Sequence, residues 1–331
     1  MRTTGLGSMP GRDFRAATRV VADLSDELLA WPELPQRDES SAMIGRTLGL
    51  LAQPGELDTD GWRLAAGRGS AQERAARWWR TDLDDFEELT QGHEGTIKVA
   101  VAGPWTLAAS VRLAYPTMNH VISDPGACRD IWQALAQGAA DLAGRLRQRF
   151  GRPIIVQLDE PMIGAVLRGG LPTFSGLDRY RIPDLDEVLT SWRQLIGAAR
   201  QVSGVEQVWL HCCGPDLDVD LAGRAGFDAL ALDTRFWDSA LFEACQAWLA
   251  DGHTIALGVV RTDQVSVPPT DRIVADALEI LRRLELPAEL LDAQVVLTPA
   301  CGLGAWPMPD ATQLLQRLTQ AAELVAERIR G

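Results

Sequence analysis

The chain has 331 residues, 46% hydrophobic and 23% charged, enough for one large globular core or two small ones. Its net charge of -13 argues against non-specific binding to nucleic acid or to an anionic membrane, because an acidic surface is repelled by phosphate. No apolar run approaches the roughly 18 to 20 residues that span a bilayer, and no apolar leader core follows Met1. Five cysteines, an odd and sparse set, fit reduced thiols better than a disulfide framework. A cytoplasmic protein is expected.

Taken in order, the chain opens on a glycine-rich turn at 3–11, where the backbone must bend sharply or approach a ligand closely. An amphipathic helix is predicted over 13–31, with Val20, Val21, Leu24, Leu28 and Leu29 on one face. Pro32 and Pro35 stop it and open a loop; a second helix is predicted over 43–51, a short strand over 61–64 and a helix over 71–92. From there strand and helix alternate regularly. Apolar runs at 97–102, 153–161, 207–214, 227–233, 254–260 and 295–301 read as buried strands. Helices are predicted over 127–149, 184–202, 238–250 and 271–283, and a terminal helix carries Leu314, Leu315, Leu318, Ala322 and Val325 on one stripe.

Strands centred near residues 4, 62, 99, 155, 208, 230, 257 and 296 give eight units separated by helices. That alternation implies an α/β fold with a parallel sheet, and eight units imply a closed (β/α)8 TIM barrel, a single domain over 1–331. Polar residues at strand C-termini then share one mouth. Gly7, Ser8, Asp159, Glu160, His211, Cys213, Asp233, Asp263 and Cys301 all fall there.

The stretch 207–214 concentrates the chemistry, since an apolar strand ends in His211, Cys212 and Cys213. Strand side chains alternate, so His211 and Cys213 share a face and Cys212 points behind. Cys301 ends another strand, and Asp233 ends the strand between. Imidazole and thiolates select zinc, with Asp233 as a fourth, oxygen ligand. The remaining candidates read as packing or solvent residues: Cys128 and Cys245 in helices, Trp62 and Trp105 in the shell, and His93, His120 and His253 in polar loops. Glu160 either orients Asp159 or caps a helix.

Gly7-Ser8-x-Pro10, Gly103-Pro104-x-Thr106, Gln157-Leu158-Asp159-Glu160-Pro161, His211-x-Cys213, Asp233-Thr234, Gly258-Val259, Pro299-x-Cys301-Gly302-Leu303 and Trp306-Pro307 occur in that order. In this the chain resembles the catalytic half of the cobalamin-independent methionine synthases, zinc-dependent (β/α)8 barrels that methylate the thiol of homocysteine. The resemblance implies zinc on His211, Cys213 and Cys301, with Asp233 in the place of the family's glutamate ligand. It implies that Asp159 holds the substrate amino group and that Gly7 and Ser8 receive its carboxylate. The family's second glutamate for that amino group falls near Arg37, which would suit an acceptor thiol bearing an extra carboxylate.

Three folate-linked positions depart from the family. Ala109 stands for the pterin-stacking tryptophan, Ala165 for a folate-contacting glutamate, and Asp263 for the histidine that protonates the leaving nitrogen. The resemblance therefore leans towards short, core-type enzymes that take the methyl group from methylcobalamin, with a methylcobalamin-carrying protein as partner beside the small-molecule thiol substrate. Two other readings stand beside it: a uroporphyrinogen decarboxylase-like barrel without metal, and a degenerate barrel that binds zinc or a thiol without turnover.

Overall fold

Apolar runs cut off by a polar residue, Gly or Pro become strands, and the amphipathic stretches between them become an outer layer of helices. The computed structural model describes residues 1–24 and 27–331. Its strands are β1 (Arg2–Thr3), β2 (Leu28–Ala30), β3 (Gly55–Asp58), β4 (Gly61–Leu64), β5 (Thr96–Ala102), β6 (Ile154–Asp159), β7 (Val205–Cys212), β8 (Ala229–Asp233), β9 (Thr254–Val260) and β10 (Val295–Pro299). Eight of them form one sheet in the order β1-β10-β9-β8-β7-β6-β5-β2. Every pairing in it is parallel. The helices Phe14–Leu24, Ser70–Leu89, Pro125–Phe150, Leu185–Arg200, Val219–Ala225, Ser239–Ala250, Thr270–Leu284 and Met308–Arg330 return the chain between them. This is the (β/α)8 barrel expected from the sequence.

The second barrel strand is not where the sequence placed it. The stretch near residue 62 is β4, which pairs antiparallel with β3 as a hairpin outside the barrel. The barrel strand is β2, from inside the helix predicted over 13–31, which ends at Leu24; positions 25 and 26 of that expected helix lie outside the described residues. A short run such as Leu28-Leu29-Ala30-Trp31, buried throughout, has no periodicity that separates strand from helix.

No strand ladder joins β1 to β2. The gap is closed at the mouth instead: the Met9 amide donates to the Glu33 carbonyl (2.8 Å) and the Glu33 amide donates to the Gly7 carbonyl (2.8 Å). Gly7 has φ +110, and a Cβ there would stand 2.9 Å from Oε1 of Glu33. Both the backbone angle and the close approach therefore call for glycine.

Inside the barrel, Leu6, Leu28, Ile155, Trp209, Ala229, Ala231, Ala256 and Val296 form one small apolar cluster. The Trp209 indole, wholly buried, is accommodated by three facing alanines. A larger core lies between strands and helices. Alternation along β6 puts Ile155 inside, so Gln157 and Asp159 point inward and Glu160 outward.

Glu160 caps a helix. Its Oε1 accepts from the Trp105 amide and the Trp192 indole (both 3.1 Å), and Oε2 accepts from the amide and hydroxyl of Thr106 (both 2.8 Å). The first turn of Pro104–Ser110 is thereby held against β6, and Gly103 leaves room for the carboxylate, which a Cβ would overlap. Burial pushes Glu160 up to about 7, against these donors. Almost every neighbour is a donor, so an amide in its place sets N–H against N–H. Glu160→Gln is expected to lower stability by about 1–3 kcal/mol, read as a lower urea midpoint at unchanged slope.

Candidate metal and substrate site

At the C-terminal ends of β7 and β10, one ligand atom each from His211, Cys213 and Cys301 lies within 4.8 Å of the others. Parallel register brings them together, since β7 lies beside β8, β8 beside β9 and β9 beside β10. The Sγ atoms of Cys301 and Cys213 are 3.2 Å apart. Nδ1 of His211 is 3.0 Å from the Ala231 carbonyl. A carbonyl only accepts, so Nδ1 carries the proton and Nε2 offers its lone pair to the thiols. A ligating histidine is oriented in this way by a fixed acceptor on its other nitrogen.

The electrostatics fit a soft cation. The hydrogen bond from Cys301 holds the Cys213 thiol below its usual value, against burial. That same bond, with burial, pushes Cys301 up. Burial works against a charged His211, but Cys301 and Asp159 outweigh it and hold the imidazole above its ordinary value. One buried imidazole and two half-buried thiols form a donor set that zinc matches.

Cys212 lies behind the strand as alternation requires, and burial pushes its thiol up to about 11. Asp233 is placed differently from expectation. It is buried at the end of β8, but both its oxygens are taken by Arg235: Nε at 3.1 and 2.9 Å, Nη2 at 2.5 Å and the backbone amide at 3.0 Å. It caps the short turn Thr234–Phe236 and is not part of the His/Cys/Cys group.

Beside His211 on the neighbouring strand, Asp159 ends β6 in register with it. Its Oδ1 accepts from Nε2 of Gln157 at 2.7 Å. Burial pushes its carboxyl up, opposed by His211, Gln157 and Lys98. The second carboxylate facing this space is Glu33, which sequence reasoning missed. Its Oε1 accepts from Nη1 of Arg46 at 2.8 Å, and burial pushes it up to about 7, with Arg46 opposing and Asp159 reinforcing. The Leu303 amide donates to the Ser8 carbonyl (2.8 Å), tying the Gly7-Ser8 turn to the loop that follows Cys301.

Arg37 does not face the acceptor space, where the resemblance to the family's second glutamate put it. Nη1 is bound to both oxygens of Asp82 at 3.1 Å, and the guanidinium lies 4.0 Å from the Trp78 ring. It braces the segment from behind, while Glu33, four residues earlier, faces the mouth. A lone carboxylate in the buried, proline-bracketed run Trp31-Pro32-Glu33-Leu34-Pro35 was the available signal. A lone lysine in an apolar strand, Ile97-Lys98-Val99, was another.

The fold and this mouth define a barrel enzyme whose soft-ligand cluster sits with a pair of carboxylates. The chain belongs to the family described as the cobalamin-independent synthase catalytic domain, which matches residues 62–324. Membership of that family makes it a methyltransferase of methionine synthase type. Among solved structures it is similar to a B12-independent methionine synthase from Shewanella sp. W3-18-1 in complex with selenomethionine. That match has 16% identity and TM-score 0.50, covering 76% of this chain and 67% of that one. It is also similar to a methyltransferase from Methanosarcina mazei, with 11% identity and TM-score 0.55, covering 96% and 93%. At these identities the two structures speak for the fold. No curated protein matches the chain. The family's independence of cobalamin stands against the corrinoid donor, and the methylcobalamin-carrying partner, expected from Ala109, Ala165 and Asp263. Among the described residues no helix is long and apolar enough to cross a membrane.

Asp263 is an exposed carboxylate paired with Nη2 of Arg261 (2.9 Å) and Nη1 of Arg235 (2.7 Å). Arg261 first, then Arg235, holds it down to about 2. A depressed carboxyl supports the fold above its ordinary value near 4 and loses that contribution only as pH falls towards 2. At neutral pH it has no proton to give, so the geometry assigns it no acid role. Asp263→Asn is expected to leave every inflection of the pH–rate profile between about pH 5 and 9 in place; a lost inflection would restore the acid role.

Proposed function

We propose that the chain is a zinc-dependent methyltransferase that methylates the thiol of a small amino acid, homocysteine in the first instance, giving methionine. The observation that carries this reading is the placement of His211, Cys213 and Cys301 on one barrel mouth with two buried carboxylates, Asp159 and Glu33. His211, Cys213 and Cys301 would hold the metal. Bound zinc supplies the Lewis acidity that lets a thiol shed its proton near neutral pH.

The rest of the work falls to the protein's own groups. Asp159 and Glu33 receive the acceptor's ammonium, and the Gly7-Ser8 turn beside them receives its carboxylate. Trp209 and the apolar cluster beneath exclude water from below. Methyl transfer between sulfur and a donor needs alignment rather than acid–base groups, and holding the acceptor at two charged ends supplies that alignment. Cobalamin independence in the family favours a methyl-tetrahydrofolate donor. With Asp233 clamped by Arg235, three protein ligands suit a catalytic zinc, which keeps a position open for substrate.

Metal analysis and a donor assay test this together. The purified protein is expected to hold about one zinc per chain, to lose it in Cys301→Ser and to keep it in Asp233→Asn. Loss of zinc in Asp233→Asn would return that carboxylate to the ligand set; a metal-free protein with intact thiols would end the zinc reading. Incubated with homocysteine and methyl-tetrahydrofolate, the zinc form is expected to yield methionine. Product with methylcobalamin alone would reverse the donor assignment. Tight zinc with no product from either donor would mark a binding barrel without turnover.

A further inference from the structure

Lys98 is the one charged residue of β5 and is almost wholly buried. Its Nζ donates to Oε1 of Gln157 at 2.6 Å, and it lies 5.6 Å from the Trp209 ring. Gln157, on the neighbouring strand, turns its other end to Asp159: Nε2 donates to Oδ1 at 2.7 Å and points to the Leu6 carbonyl at 3.4 Å. An ammonium is a donor only, whereas a carboxylate and a carbonyl are acceptors only. All three partners therefore select a single orientation of the amide. Oδ2 of Asp159 has no hydrogen-bond partner among the described residues, which leaves it for the space at the mouth.

We propose that Lys98 is a positioning residue for the acceptor's ammonium group, acting through Gln157 on Asp159, and that it sets the preference for thiols bearing an amino group. The proposal rests on the reading of Asp159 given above. With Lys98 removed, Oε1 of Gln157 is left in a buried site without its donor, and only the Asp159 and Leu6 acceptors hold the amide. The buried oxygen then turns towards water or another donor and draws the amide out of line, so that the carboxylate loses the fixed donor that sets its plane. Burying a lysine is costly, and β5 could be completed by any apolar side chain. A purely structural account gives no reason for its single hydrogen bond to fall on the amide that orients Asp159. Burial lowers the ammonium's pKa to about 8, with Asp159 and Glu33 opposing, and the lysine donates to Oε1 in either charge state.

The test is calorimetric binding to the zinc-loaded protein, which needs no methyl donor. Two ligands are compared: homocysteine, and 4-sulfanylbutanoate, the same thiol acid with hydrogen in place of the amino group. Wild type is expected to prefer homocysteine. Lys98→Met is expected to weaken homocysteine about tenfold and to change 4-sulfanylbutanoate by less than about twofold. Gln157→Met, which leaves the lysine in place, is expected to do the same and carries the test should Lys98→Met fail to fold. The double variant is expected to be no weaker than either single one, because both act on one relay. Equal weakening of both thiols, additive effects, or no effect would overturn the role of Lys98. A wild type that binds both thiols alike would overturn the Asp159 reading itself, and the proposal with it.

Discussion

Two backbone hydrogen bonds, Met9 to Glu33 and Glu33 to Gly7, hold this barrel shut where its first and second strands run apart. Between the strands themselves the Thr4 hydroxyl reaches the Leu28 carbonyl at 3.3 Å, but no backbone ladder joins β1 to β2. The position of the two backbone bonds at the mouth means that the residues completing the ring are also those that border the site. The Glu33 backbone closes the barrel while its side chain faces Asp159. The glycine that lets the two segments meet is the first residue of the turn beside the proposed acceptor. A change that loosens the closure is therefore felt at the site before it is felt elsewhere.

Charge is balanced across the floor of the mouth. Glu33 and Asp159 are carboxylates with raised affinity for protons, and Arg46 and Lys98 lie buried beside and beneath them. Glu33 meets Arg46 directly, whereas Asp159 meets Lys98 through an amide. Direct pairing commits one carboxylate oxygen to a protein cation, as Oε1 of Glu33 is committed to Arg46. Interposing Gln157 keeps the positive charge near enough to favour the ionised carboxylate and leaves one oxygen uncommitted. Buried ion pairs add little net stability, because desolvation cancels most of the attraction. Such an arrangement is better explained by recognition than by folding.

The sequence made the barrel and the His/Cys/Cys group legible for the same reason: both follow from period-two alternation ending at a strand terminus. His211 and Cys213 share a face, Cys212 does not, and no tertiary information is needed to say so. The second strand was illegible because three apolar residues buried on every side carry no period. The Arg37 assignment had a separate origin, the match to the family's second glutamate along an irregular loop, where no period reports that Glu33, four residues earlier, is the one turned to the mouth. Asp233 sits at the expected strand end, but its partner Arg235 lies two residues on in a short turn, and nothing in a spacing pattern reports that the side chain folds back on its own loop. Lys98 and Gln157 could be read only as misfits in apolar strands until their neighbours were known.

Trp209 has a consequence for traffic. Its indole and the packed residues around it fill the barrel beneath the mouth, so that passage through the interior is blocked on that side. The acceptor's proposed contacts lie on the floor of that mouth, so the methyl donor has to arrive above an acceptor already seated. The methylated product in turn leaves only after the spent donor has cleared the threshold. The filled interior thus imposes a sequence of entry and exit that no residue at the rim has to enforce.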